Sequence, residues 1–437
     1  MSFGDVWRKI GEFPAEWFGA AILAFAGGIL AAFKLGHSIA KTSATDKVGA
    51  AEQRVRLAEG KAQDLTTDLA NLRADKNGLM ARNDNLVREN AKLLADVTRP
   101  QPGQGHELTV QLQTLTELKQ RVAKYDDLRD ALMGDEEELW RLRKILQPED
   151  FAVRMKASKV KVITVANLKG GVGKTTLVAN LAAHFCLKGK RVLAIDLDYQ
   201  GSLTRMMLLG ANLSSNSDIL AHTLLGGHAD GQWVSQSSRE FGGVLPKARL
   251  ITCGQIFDRF ENRAMLSWLL GENGDEDVRF RLARILLDRS VQENFDLVLI
   301  DAPPRLSFGA VNALCASHGI VVPTVLDRLS ADAVGRFLGR ANHVFRPLNP
   351  GLEHAGVVGT MTKQKKRNED EAKAFDMAKQ GLAQWHGRSH VFDSSIPHIV
   401  ALSRAAGQEI GYIGKEKSQV VPLFDALGDE ISLKFGL

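Results

Sequence analysis

Val160-Lys-Val-Ile-Thr-Val-Ala166 runs without a break into Asn167-Leu-Lys-Gly-Gly-Val-Gly-Lys-Thr-Thr176. The first part is a β-branched run that reads as a strand buried in a parallel sheet. The second is a glycine-rich turn between that strand and a helix N-terminus. Such a turn aims successive backbone N–H groups at one spot, which suits a polyphosphate, while a lysine adds charge and a hydroxyl can ligate Mg2+. Lys174 and Thr175 fit these two roles, and nothing structural requires Gly-Lys-Thr at that point. The pattern GxxxxGK[ST] is not met, because Leu168 stands where its first glycine would be; the chain has KGGxGKTT instead.

That run, Lys169 to Thr176, resembles the deviant Walker A loop of the ParA/MinD superfamily of ATPases. Arg191-Val-Leu-Ala-Ile-Asp-Leu-Asp-Tyr-Gln-Gly-Ser-Leu-Thr204 resembles the second strand and switch I of ParA proteins, and Asp296-Leu-Val-Leu-Ile-Asp-Ala-Pro-Pro304 their Walker B strand and switch II. Ile396-Pro397 with Ser403-Arg404-Ala405 is similar to the family's C-terminal segment. The likeness spans about 159–437. Tyr199 departs from it, standing where ParA proteins usually have proline, and the stretch 206–290 matches no family pattern.

The resemblance implies an α/β P-loop NTPase over 158–437, with a mostly parallel, helix-flanked sheet, binding ATP and Mg2+. It places the nucleotide on Lys169, Gly170, Gly171, Val172, Gly173, Lys174, Thr175 and Thr176. Lys174 would contact the β- and γ-phosphates, Thr175 would ligate Mg2+ and Thr176 would bond an α-phosphate oxygen. Lys169 corresponds to the signature lysine that reaches the nucleotide of a second subunit, which makes ATP part of a sandwich dimer. Asp198 corresponds to the switch I aspartate that orients the attacking water, and Asp301 to the Walker B carboxylate that holds Mg2+ through water. Lys169, Lys174 and Asp198 are thus the catalytic candidates, with Thr175 and Asp301 at the metal and Thr362 and Pro397 at the adenine. Asp196, a strand-end aspartate, reads equally well as a turn cap.

Upstream the grammar differs. After a leader at 1–16, Trp17 to Phe33 holds 17 residues without a charge, roughly 26 Å as a helix. A transmembrane helix at 17–35 is therefore expected, single-pass in the inner (cytoplasmic) membrane. Lys34, Lys41 and Lys47 orient it C-terminus inward; a signal peptide and a buried hairpin helix are the competing readings. Leu65, Leu72, Leu79, Leu86 and Leu93 recur every seventh residue, so a parallel coiled coil is expected over 44–98. Pro100, Pro102, Gly103 and Gly105 make a joint at 99–106. A second helical segment at 107–147 either continues the dimer or folds back.

Composition excludes little: 44% hydrophobic and 24% charged residues support a sizeable core, and a net charge of +5 demands no particular partner. Cys186, Cys253 and Cys315 form no motif, so neither a disulfide scaffold nor a zinc site is expected. The basic run Lys363, Lys365, Lys366 and Arg367 reads as either a solvated loop or a non-specific DNA patch. The expected function is a membrane-anchored, ParA-like ATPase, homodimeric through coil and ATP sandwich, that positions or recruits a DNA or protein cargo. The alternatives are a nucleotide-binding membrane scaffold with little turnover, a polysaccharide-export-type tyrosine autokinase, and a soluble ParA-type partition ATPase.

Overall fold

The computed structural model describes residues 136–437 apart from 215–219 and 364–368, together with helical positions 85, 88, 89, 113–117 and 119. The fold below lies in one compact unit, Gln113–Leu437. Its centre is an eight-stranded sheet in the order β3-β4-β2-β5-β1-β6-β7-β8. The strands are β1 (Lys161–Val165), β2 (Val192–Asp196), β3 (Arg239–Glu240), β4 (Ala248–Ile251), β5 (Leu297–Asp301), β6 (Gly319–Val325), β7 (His354–Thr362) and β8 (Arg388–Pro397). All neighbours pair in parallel except the two-residue edge strand β3 against β4.

Among the described residues the helices of nine residues or more are α1 (Lys174–Leu187), α2 (Ser202–Gly210), α3 (Ile256–Leu270), α4 (Phe308–Ala316), α5 (Arg328–Leu348), α6 (Glu369–Gly381) and α7 (Lys417–Phe435). They cover both faces of the sheet, which explains why its strands read as continuous apolar runs. Successive strand residues alternate between two cores. Val162, Leu193, Ile195, Val298 and Ile300 pack with Phe257, Phe308 and Phe337 of α3, α4 and α5. Ile163, Val165, Ala194, Leu297 and Leu299 pack with Leu177, Leu203 and Phe424 of α1, α2 and α7.

Strand order reverses at β1: the chain leaves it through α1 towards β2, whereas β6 lies on its other side. In an open parallel sheet that point leaves a crevice at the carboxyl ends of the strands, where ligands bind. The register brings Val165, Asp196 and Asp301 to the same level there.

The second helical segment does not run as helix to 147. Its last described turn, Glu136–Leu139, ends where Trp140 drops into the α/β core at 1% exposure. The Trp140 indole donates to the Leu306 carbonyl (2.8 Å) and stacks on Trp268 at 5.5 Å. Buried Arg279 donates to the carbonyls of Trp140 (2.6 Å) and Lys144 (3.1 Å), and its charge is met by Asp277 at 2.7 Å.

The membrane localisation is corrected. Among the described residues no helix is long and apolar enough to cross a membrane. The segment 17–33, on which that expectation rested, lies outside the described residues, as does nearly all of the coiled coil at 44–98 and the joint at 99–106. Uncharged composition alone was a weak warrant, because a short apolar run also serves a buried helix.

Candidate nucleotide site

β1 ends at Val165, and Asn167 holds the turn that follows. Its amide donates to the Pro323 carbonyl (2.8 Å) and its side-chain oxygen accepts the Lys169 N–H (2.9 Å). The loop then climbs through Gly170, Gly171 and Val172 to Gly173, whose φ of 89° is a conformation that L side chains rarely adopt. No side chain caps α1. Its first-turn N–H groups and positive dipole end therefore face the loop, as an anion site requires. Val172 is buried, and its carbonyl accepts from Thr360 Oγ1 at 2.9 Å, which ties the loop to β7.

Lys174 is buried, with Nζ 3.2 Å from the Lys169 carbonyl. Burial lowers its pKa, while the nearby Asp301 and Asp198 charges oppose that shift. Thr175 Oγ1 donates to Asp301 Oδ2 at 2.7 Å. Asp301, 1% exposed, keeps its other carboxylate oxygen buried without a hydrogen-bond partner among the described residues. Burial, followed by the charge of Asp196, raises its pKa well above the usual carboxylate range. A buried carboxylate with one oxygen free of hydrogen bonds among the described residues, beside a threonine hydroxyl, is a pair of hard oxygen donors suited to Mg2+. Thr175 and Asp301 are the residues that would hold that ion, and bound there it would neutralise phosphate charge.

Asp198 sits in the loop after β2. One carboxylate oxygen accepts the Gln200 N–H at 3.0 Å, and its backbone N–H donates to Asp196 Oδ1 at 3.1 Å. Asp196 itself is fully buried and accepts both the N–H and the hydroxyl of Thr204 at 2.8 Å. Burial raises its pKa to about 7. It anchors the turn, so of the two adjacent aspartates only Asp198 is available to solvent. Gly201 closes the turn, because a Cβ there would lie 2.7 Å from the Cys253 carbonyl.

Lys169 is exposed and turns back on its own chain: Nζ donates to Ser330 Oγ at 2.6 Å and lies 3.8 Å from Asp327 Oδ2, at the start of α5. Thr176 follows on the first turn of α1, its carbonyl accepting from Asn180. Thr362 and Pro397 stand opposite each other at the carboxyl ends of β7 and β8, both buried. They share an edge with the loop through Thr360. Lys363 is exposed beside them, whereas Lys365, Lys366 and Arg367 lie outside the described residues.

Sequence reasoning missed the residues that hold the site from outside the motifs. They are Thr360, Asp327 and Ser330, together with Glu261, which is 2% exposed and accepts from Ser307 Oγ (2.5 Å) and Gly309 N (2.6 Å) after switch II. Only Tyr199 carried a signal, as a departure from the expected pattern.

A strand, a glycine loop, a helix N-terminus, a lysine and a threonine–carboxylate pair at a topological switch point define a P-loop nucleotide site. A family model described as an AAA domain matches residues 160–354. The chromosome-partitioning ATPase Soj of Thermus thermophilus is 32% identical over 252 residues, covering 57% of this chain and 86% of that protein. The sporulation initiation inhibitor protein Soj of Bacillus subtilis is 29% identical over 245 residues, 56% of this chain and 87% of that protein. A solved plasmid partition protein from Borrelia burgdorferi is 22% identical with a TM-score of 0.42, covering 58% of this chain and 97% of that one. The chain belongs to the ParA/MinD-like family of P-loop ATPases, with Soj proteins among its relatives. It is an ATPase.

Proposed function

We propose that this ATPase works as a nucleotide-dependent dimer switch that positions or recruits a cargo. Lys174 would hold the terminal phosphates, Thr175 and Asp301 the Mg2+, and Asp198 the attacking water. Phosphoryl transfer needs positioning and charge more than covalent chemistry, so four such groups suffice. The observation that supports the site most is Asp301, a buried carboxylate with one oxygen on Thr175 and the other without a partner among the described residues.

The switch reading rests on Lys169. Its ammonium is exposed, carried on the nucleotide loop, and engaged by an exposed aspartate and a serine of the same chain. A surface ion pair of that kind is worth about 0–1 kcal/mol, so a γ-phosphate in a second subunit competes for it easily. ATP then favours the sandwich, and hydrolysis releases it. The relative named for chromosome partitioning supports DNA as a cargo class, and Lys363 would belong to the contacting surface.

Sedimentation of the full chain tests the switch. ATP with Mg2+ should give a higher sedimentation coefficient than ADP, and Lys169→Ala should abolish the difference. Equal coefficients with both nucleotides would refute it.

A further inference from the structure

We infer that Arg305 is a positioning residue for nucleotide hydrolysis, joining switch II to switch I through the face of Tyr199. This rests on Asp198 as the water-orienting carboxylate. Arg305 lies four residues after Asp301, and its Nη2 donates to Asp258 Oδ1 (2.9 Å) and Glu261 Oε2 (3.2 Å) on α3. Its guanidinium carbon stands 5.6 Å from the centroid of the Tyr199 ring. Tyr199 is the residue next to Asp198.

The anchor is rigid. Glu261 is buried and holds Ser307 and Gly309 as well as Arg305. Gly309 is set close, since a Cβ there would meet Glu261 Oε1 at 2.9 Å. Trp140, stacked on Trp268 of α3, also holds the Leu306 carbonyl. The segment 305–309 is thus fixed to α3, and a planar cation projects from it over the aromatic ring of switch I. A guanidinium over a tyrosine face is attractive through the ring quadrupole. No side chain at position 198 or 200 bonds to α3 in this way. The Tyr199 face is therefore the contact through which the rigid block constrains the backbone that carries Asp198. It also accounts for the aromatic residue at 199, since proline offers no such face.

The contact predicts a loss of turnover without a loss of ATP binding. Steady-state phosphate release by the full chain with ATP and Mg2+ should show kcat reduced about three- to tenfold in Arg305→Ala and in Tyr199→Leu, with KM within about twofold of wild type. The double variant should be no slower than the slower single one, because both remove the same contact. Tyr199→Phe, which keeps the ring, should retain the wild-type rate. Unaltered kcat in Tyr199→Leu, a raised KM at unaltered kcat, or effects that multiply in the double variant would each overturn the assignment. Should Arg305→Ala fail to fold because Glu261 loses its cation, Tyr199→Leu against Tyr199→Phe decides alone. Asp198→Ala in the same assay separates the two readings. Turnover that survives it removes the water-positioning role itself, whereas its loss alongside a wild-type rate in Tyr199→Leu removes only the role of Arg305.

Discussion

Three carboxylates crowd the end of the sheet, and their surroundings give them different work. Asp196 spends its oxygens on Thr204 and the Asp198 N–H, Asp301 keeps one oxygen back, and the half-buried Asp198 accepts the Gln200 N–H. Removing the Thr175 hydroxyl should therefore act through the metal. Thr175→Ala is expected to raise the Mg2+ concentration for half-maximal turnover at least tenfold, measured by phosphate release across a Mg2+ titration. Asp327→Asn should keep the helix cap on Ser330 N (2.7 Å in the wild type) while removing the charge beside Lys169. The expected outcome is ATP-dependent association at lower protein concentration; an unchanged midpoint would mean that Lys169 is not held back. The loop, Asp198 and Asp301 were legible because each lies in a contiguous motif. Thr360 and Val172 are 188 residues apart and Ser330 and Lys169 161 apart, and no local pattern announces a contact of that range.

The elements that hold the site are tied across the chain, and two of these ties are testable as stability. Trp140 lies 166 residues before its acceptor Leu306, at a position the heptad spacing did not mark. Trp140→Ala should destabilise the unit by about 3–5 kcal/mol, read by urea denaturation. His318, at the turn into β6, accepts the Val162 N–H on Nδ1 at 3.1 Å and lies 3.0 Å from the Met155 carbonyl through Nε2. Burial lowers its pKa from 6.5 to about 4. The unfolded chain therefore takes up a proton below pH 6.5 while the folded chain does not, so this group lowers stability as pH falls from 6.5 to 4, by roughly 3 kcal/mol. His318→Asn should flatten that limb of the stability curve, and an unchanged limb would remove His318 as its source. Strands β1, β2 and β5 were readable as apolar runs. The irregular stretch from α2 to β5 was not, because apart from α3 its helices are short and are fixed by packing and caps.

At the scale of the molecule, the parallel sheet and the crevice at its switch point were foreseeable from one strand–loop–helix reading, since that unit can sit at only one place in such a sheet. The placement of the chain in a membrane was read from composition, with no tertiary partner to test it, and it does not stand. What remains is an ATPase in which the glycine loop, Asp198 and Asp301 lie at the ends of β1, β2 and β5. Phosphate release by the full chain with ATP and Mg2+, compared among wild type, Lys174→Ala and Asp198→Ala, tests that claim most directly. Turnover should fall by about a hundredfold or more in both variants. ATP binding should be lost only in Lys174→Ala, and wild-type turnover in either variant would contradict the account.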